Sequence, residues 1–140
     1  MNDIIVNKIQ SIQRCVERAR QEYSKNPAGF DDDYTQQDAS ILNILRACEL
    51  AIDLANHVIK SYKMGIPTSS AESFSLLHKK QVLDRSLSEK LQNMVKFRNI
   101  VIHDYQSVNL EIVKSIIKSD LADVLLFTDK IMEFTRPTSS

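Results

Sequence analysis

With 140 residues, 18 basic and 18 acidic side chains and a formal net charge of zero, the chain is long enough for one domain with a real core. It is too balanced in charge to coat nucleic acid through a broad field of cations. Two glycines, three prolines and no tryptophan, against abundant Ile, Leu, Lys, Glu, Gln and Ser, argue against a turn-rich β architecture and for an all-α fold.

The first element is read from Ile5, Ile9, Ile12, Val16, Ala19 and Tyr23, which step by three and four and predict an amphipathic helix from about Asp3 to Tyr23. Asn26-Pro27-Ala28-Gly29 and the acidic run to Tyr34 form a loop. Thr35 with Asp38 then resembles a capping box that opens a second helix. Its buried stripe is Ile41, Leu45, Cys48, Ile52, Ala55, Ile59 and Tyr62, and Gly65 with Pro67 stops it. Ser69 and Glu72 make a second box, opening a short helix with Phe74 and Leu77 on one side. Ser86 and Glu89 make a third, opening a helix that carries Leu87, Leu91, Met94 or Val95, Arg98, Val101 and Ile102. A last long helix runs from about Asn109 to Phe134 with Ile112, Val113, Ile116, Leu121, Val124, Leu125, Phe127 and Ile131 apolar. Four long helices and one short one fit an antiparallel up-and-down bundle: a single domain over 1–136, with a polar tail at 137–140.

No run approaches the roughly 20 apolar residues of a bilayer span, and the Met-Asn-Asp start lacks the marks of a secretory signal, so a cytoplasmic protein without membrane attachment is expected. Cys15 and Cys48 fall on or beside apolar stripes with no second ligand at metal spacing, and read as buried small hydrophobes. From Lys79 to Arg98 the cations Lys79, Lys80, Arg85, Lys90, Lys96 and Arg98 face only Asp84 and Glu89, whereas Asp31, Asp32 and Asp33 concentrate negative charge elsewhere. A polyanion should therefore meet the segment before His103. Taken singly, the lysines also read as a solvated helix face.

Of the three histidines, His57 reads as a surface or packing partner of Asp53 one turn earlier, and His78, followed by two lysines, as a solvated helix end. His103 stands in Arg98-Asn99-Ile100-Val101-Ile102-His103-Asp104-Tyr105, which gathers a permanent cation, an amide, an imidazole, a carboxylate and a phenol within about two helical turns. A guanidinium can clamp a phosphate with a planar fork and stay charged as negative charge builds up. An imidazole can take a proton from a ribose 2′-hydroxyl or return one to a leaving 5′-oxygen. That reaction needs no metal, and no carboxylate or His/Cys cluster that would clearly hold one is visible. On a regular helix, however, Arg98 and His103 are about 140° apart, while Asn99 shares a face with His103 and Tyr105 lies nearly above Arg98. Either the helix unwinds near Asp104, or a second copy brings its own Arg98 and His103 across a two-fold axis and supplies two imidazoles. Taken alone, the spacing is better read as an ordinary helix-end ion pair, since an Arg five residues before a His often arises by chance.

Arg98, four residues, His103, one residue and Tyr105 match the signature of HepT proteins, a branch of the HEPN superfamily that the chain resembles. The likeness extends to Ala51-Ile52-Asp53-Leu54-Ala55-Asn56-His57-Val58-Ile59, to Gly65-Ile66-Pro67 and to Glu72-Ser73-Phe74-Ser75-Leu76-Leu77. It covers the chain from the first helix to about Phe134. The resemblance implies a HEPN-like bundle that forms a homodimer with a composite cleft, and the toxin half of a type II toxin and antitoxin pair. It implies a metal-independent endoribonuclease with Arg98 and His103 catalytic, leaving a cyclic phosphate and a 5′-hydroxyl, and requiring no cofactor. It also implies a minimal nucleotidyltransferase antitoxin as partner, transferring AMP from ATP onto Tyr105. Asn99 and Asp104 are supporting residues that orient His103 or finish the helix. Messenger and transfer RNA are both open as substrates. The alternatives are a non-catalytic helical partner that holds nucleotide or substrate for a nucleotidyltransferase, and a structural dimer within a larger complex. Only the enzyme reading predicts loss of RNA cleavage when His103 is removed and the fold survives.

Overall fold

The computed structural model describes residues 3–136, so the expected polar tail and Pro137 lie outside the described residues. Among those residues six α-helices occur: α1 (Asp3–Ser24), α2 (Tyr34–Ser61), α3 (Ser70–Lys79), α4 (Arg85–His103), α5 (Leu110–Ser115) and α6 (Leu121–Thr135). A π-helical turn, Ile116–Asp120, joins α5 to α6, making one long final element. Four long helices and one short one are therefore present, as the periodicities predict. Among the described residues no helix is long and apolar enough to cross a membrane.

The centre of the bundle is α2. Its buried side chains include Ile41, Ile44, Ala47, Cys48, Ala51, Leu54, Ala55, Val58 and Ile59, more than one face's worth, because α1, α3, α4 and α6 all pack against it. A helix surrounded on several sides buries more than the single stripe that periodicity picks out. Tyr62, expected in that stripe, is 46% exposed and lies against the ring of Phe134, 4.8 Å between centroids. Phe74 of α3 meets Phe127 of α6 edge-on at 5.5 Å and locks the far side of the core.

The helix starts follow a different logic from the expected boxes. Asp33, not Thr35, caps α2 by accepting from Gln36 N, and Asp84, not Ser86, caps α4 by accepting from Leu87 N at 2.7 Å. In both places an aspartate two residues upstream already stands in extended backbone, and its carboxylate both accepts from the orphan amide and answers the positive helix end. Ser69 caps α3 as expected, while Glu72 reaches back to Thr68 rather than to Ser69. The loop before α2 contains a 3-10 helix, Pro27–Asp32. Gln36 ties it down by donating to the carbonyls of Glu22, Tyr23 and Asn26, so a buried amide satisfies the last turn of α1.

Two helices end without glycine. Lys63 and Gln81 sit at φ 53° and 64°; Lys63 N bonds to Lys60 O and Met64 N to Ile59 O, and likewise Gln81 N to His78 O and Val82 N to Leu77 O, the double bonding of a left-handed C-terminal cap. Gly65, expected to stop α2, comes after that cap. A π turn over Ile116–Asp120 widens the last element locally, and Ile116, Ile117 and Leu121 are all buried across it.

Candidate active site

Arg98 stands on the inward face of α4, its side chain 20% exposed, and bridges three elements. Its Nε donates to Glu49 Oε1 of α2 at 2.5 Å, Nη1 to Asn99 Oδ1 at 2.6 Å and Nη2 to Ser70 Oγ of α3 at 3.2 Å. The guanidinium is thus held in a fixed plane, with three of its five N–H groups engaged. Glu49 and Ser70 were not singled out from the sequence. The usable signal for Glu49 was a carboxylate beside Cys48 in an otherwise apolar stretch, and Ser70 carried none.

His103 is the last residue of α4 and is exposed. The helix is regular from Arg98 to His103, so the turn of about 140° between them stands: the cation faces α2 and the imidazole faces solvent. The break comes one residue later. Asp104 leaves the helical region at φ −155°, its N–H bonded to Ile100 O, and its carboxylate accepts from Ser107 Oγ. Asp104 therefore finishes the helix, and Asn99 engages Arg98.

Because α4 ends there, Tyr105 does not lie above Arg98. It opens a 3-10 turn, Tyr105–Ser107, and its phenol donates to Asp38 Oδ1 of α2. Asp38 and Glu49 are about three turns apart on α2, roughly 16 Å along its axis, so the phenol and the guanidinium of one chain bond to different levels of that helix, as α4 runs antiparallel to it. Burial first, then the hydrogen bond and negative charge of Asp38, push the Tyr105 phenol up to about 12, although the ring remains 42% exposed. The pair borders two clefts. One, of about 500 Å³, is bounded by Tyr34, Gln37, Gln106 and Val108 among others, and the other, of about 410 Å³, by Ile41, Leu42, Leu45 and Val101.

The remaining candidates are ordinary. Cys48 is buried, donates to Met94 O at 3.5 Å, and is pushed up to about 12 by burial and by Glu49; Cys15 is half-buried, and both thiols are free. His57 Nε2 lies 3.5 Å from Ser61 Oγ. His78 is half-buried, not a solvated end: its Nδ1 is 3.1 Å from Leu83 O, across the turn that follows α3. Much of the expected cation excess is a solvated face, with Arg85 3.6 Å from Glu89 and Lys90 3.7 Å from Asp123. Among the described residues no three His, Cys, Asp or Glu side chains converge as a metal site. Ile102, expected on the apolar face of its helix, is 54% exposed, and exposed too are Ile100 two residues before it and, on α2, Leu42, which lines the smaller cleft.

The chain is 46% identical over 131 residues to the mRNA nuclease HepT of Shewanella oneidensis, covering 94% of this chain and 98% of that protein. It superposes with a TM-score of 0.90 on the tri-AMPylated HEPN toxin of Shewanella oneidensis solved in complex with MNT antitoxin, at 45% identity over 95% of this chain and 99% of that one. A toxin-antitoxin structure with AMP-PNP matches equally, with a TM-score of 0.90 at 44% identity over 94% and 99% of the two chains. The model of the family described as "Ribonuclease HepT-like" matches residues 12–131, which take in every helix that positions Arg98, His103 and Tyr105. By fold, by identity along nearly its whole length and by that match, the chain belongs to the HepT-like ribonuclease family.

Proposed function

We propose that this HepT-like ribonuclease is the toxin of a toxin and antitoxin pair, and that it cuts messenger RNA in the cytoplasm at a cleft shared by two copies of the chain, without a metal ion. The observation that carries the reading is the division of labour within one copy. Arg98 is fixed in plane on the inward face of α4 while His103 projects from another face of the same regular helix. A second copy related by a two-fold axis supplies the missing group at each position. Exposed Leu42, Ile100 and Ile102 offer apolar surface for that contact.

In such a cleft the two unengaged N–H groups of Arg98 hold a phosphate oxygen and stay charged as the pentacoordinate state forms. One His103 removes the ribose 2′-proton and the other protonates the leaving 5′-oxygen, which leaves a 2′,3′-cyclic phosphate and a 5′-hydroxyl. Support for messenger RNA comes from the name of the Shewanella nuclease. Support for a nucleotidyltransferase antitoxin that transfers AMP to Tyr105 comes from the AMPylated Shewanella complex and from the placement of the phenol at the rim of two clefts. AMP on Tyr105 acts by placing bulk and negative charge two residues beyond His103, where substrate must pass.

The test is cleavage of a defined RNA by the purified chain with a chelator present. Wild type should cut as fast with EDTA as with magnesium and yield cyclic phosphate ends. Folded His103→Ala that still cuts at the wild-type rate would leave the binding role instead.

A further inference from the structure

We propose that Asp38 is the general base for AMP transfer to Tyr105, so that the acceptor chain carries the group that activates its own phenol. The inference rests on the reading that a nucleotidyltransferase modifies Tyr105. Tyr105 Oη donates to Asp38 Oδ1, the one hydrogen bond of this phenol among the described residues, on the rim of a cleft of about 500 Å³. Asp38 is held by α2, a rigid 28-residue helix, and Tyr105 by the short turn that follows α4, so the carboxylate is the fixed partner and the phenol the one brought to it.

A phenol pushed up to about 12 is protonated at neutral pH and is a poor nucleophile. Its proton must leave as it attacks. In the transfer, Tyr105 Oη forms a bond to the α-phosphorus of ATP, and the bond from that phosphorus to the bridging oxygen of the β-phosphate breaks. Pyrophosphate departs with the electron pair, and the phenol proton passes to Asp38 Oδ1 and then to water. ATP and its divalent ion are brought by the nucleotidyltransferase. The negative charge of Asp38 disfavours a free phenolate and favours a proton shared along the existing bond, which suits transfer concerted with attack. Tyr34, which borders the same cleft, and His103 and Asp104, which precede Tyr105, are the other titratable groups near it in the cleft lining or in sequence.

The experiment compares AMP incorporation into wild type and Asp38→Asn by the cognate nucleotidyltransferase with ATP and magnesium, mapped by mass spectrometry across pH 6 to 10. The amide of Asp38→Asn still accepts a hydrogen bond but takes up no proton. RNA cleavage by each unmodified protein reports the fold. A general base is worth roughly a hundredfold or more, so Asp38→Asn should be modified about a hundredfold more slowly at pH 7 while cutting RNA normally. The ratio of the two rates should shrink as pH rises and free phenolate replaces base-assisted attack. Equal rates overturn the role of Asp38 while leaving the regulation intact. A loss that stays constant with pH also overturns it, since Asp38 would then only orient the phenol. Wild type that gains no AMP on Tyr105 removes the underlying reading as well.

Discussion

Arg98 and His103 differ in how the fold treats them, and their variants should differ accordingly. Arg98→Ala and His103→Ala should each lower RNA cleavage by roughly 10²–10⁴-fold. Stability should change little, because Glu49, the partner that Arg98 leaves behind, is 44% exposed and takes up water. Arg98→Lys should recover little, since an ammonium keeps the charge but cannot reach Glu49, Asn99 and Ser70 in one plane. Steady-state cleavage and urea melts on the same preparations check both halves. Tyr105 offers a second check. Its folded-state phenol is raised to about 12 from an ordinary value near 10, so the unfolded chain releases that proton first. The contribution to stability is then whole below about pH 10 and lost on rising toward 12. Tyrosinate absorbance at alkaline pH should show one phenol ionising about two units late in wild type and less late in Asp38→Asn, where burial still raises it but the negative charge of Asp38 is gone. The pair Arg98 and His103 was legible as spacing in the sequence; Glu49, Ser70 and Asp38 were not, because their partners are contributed by different helices and no local pattern records which turns of α2 will meet α4.

Among the elements, number, order and approximate bounds were legible because apolar spacing of three and four survives burial. The starts of α2 and α4 were not. Thr35 and Ser86 have the right neighbours for a capping box, yet each follows an aspartate that reaches the helix end first. Asp33→Ala and Asp84→Ala should therefore each cost about 1 kcal/mol in urea denaturation, whereas Thr35→Ala and Ser86→Ala should stay within about 0.5 kcal/mol of wild type. The C-terminal caps at Lys63 and Gln81 point the other way. Both hold positive φ with a side chain that the region disfavours, so Lys63→Gly and Gln81→Gly should each raise stability by about 0.5–1 kcal/mol. The π turn at Ile116–Asp120 was not legible, because Val113, Ile117 and Leu121 keep the ordinary spacing of four and nothing in the apolar pattern marks it.

For the whole molecule, the proposed site would explain how a neutral chain acts on RNA: it gathers Arg98, His103 and Tyr105 along the C-terminal half of α4 and the turn after it, and leaves recognition to the shape of a cleft more than to a field of charge. One copy orients Arg98 inward and His103 outward, so the central claim is that two copies share one site and that both imidazoles work. The direct measurement mixes wild type with His103→Ala, refolded together at fixed total protein so that subunits assort at random, and reads RNA cleavage against the wild-type fraction. A shared cleft that needs both imidazoles leaves only the wild-type pairs active, so at equal amounts cleavage should fall to about one quarter and follow the square of the fraction throughout. Cleavage that falls in a straight line, to about one half at equal amounts, would mean that each chain cuts on its own and would contradict the shared site.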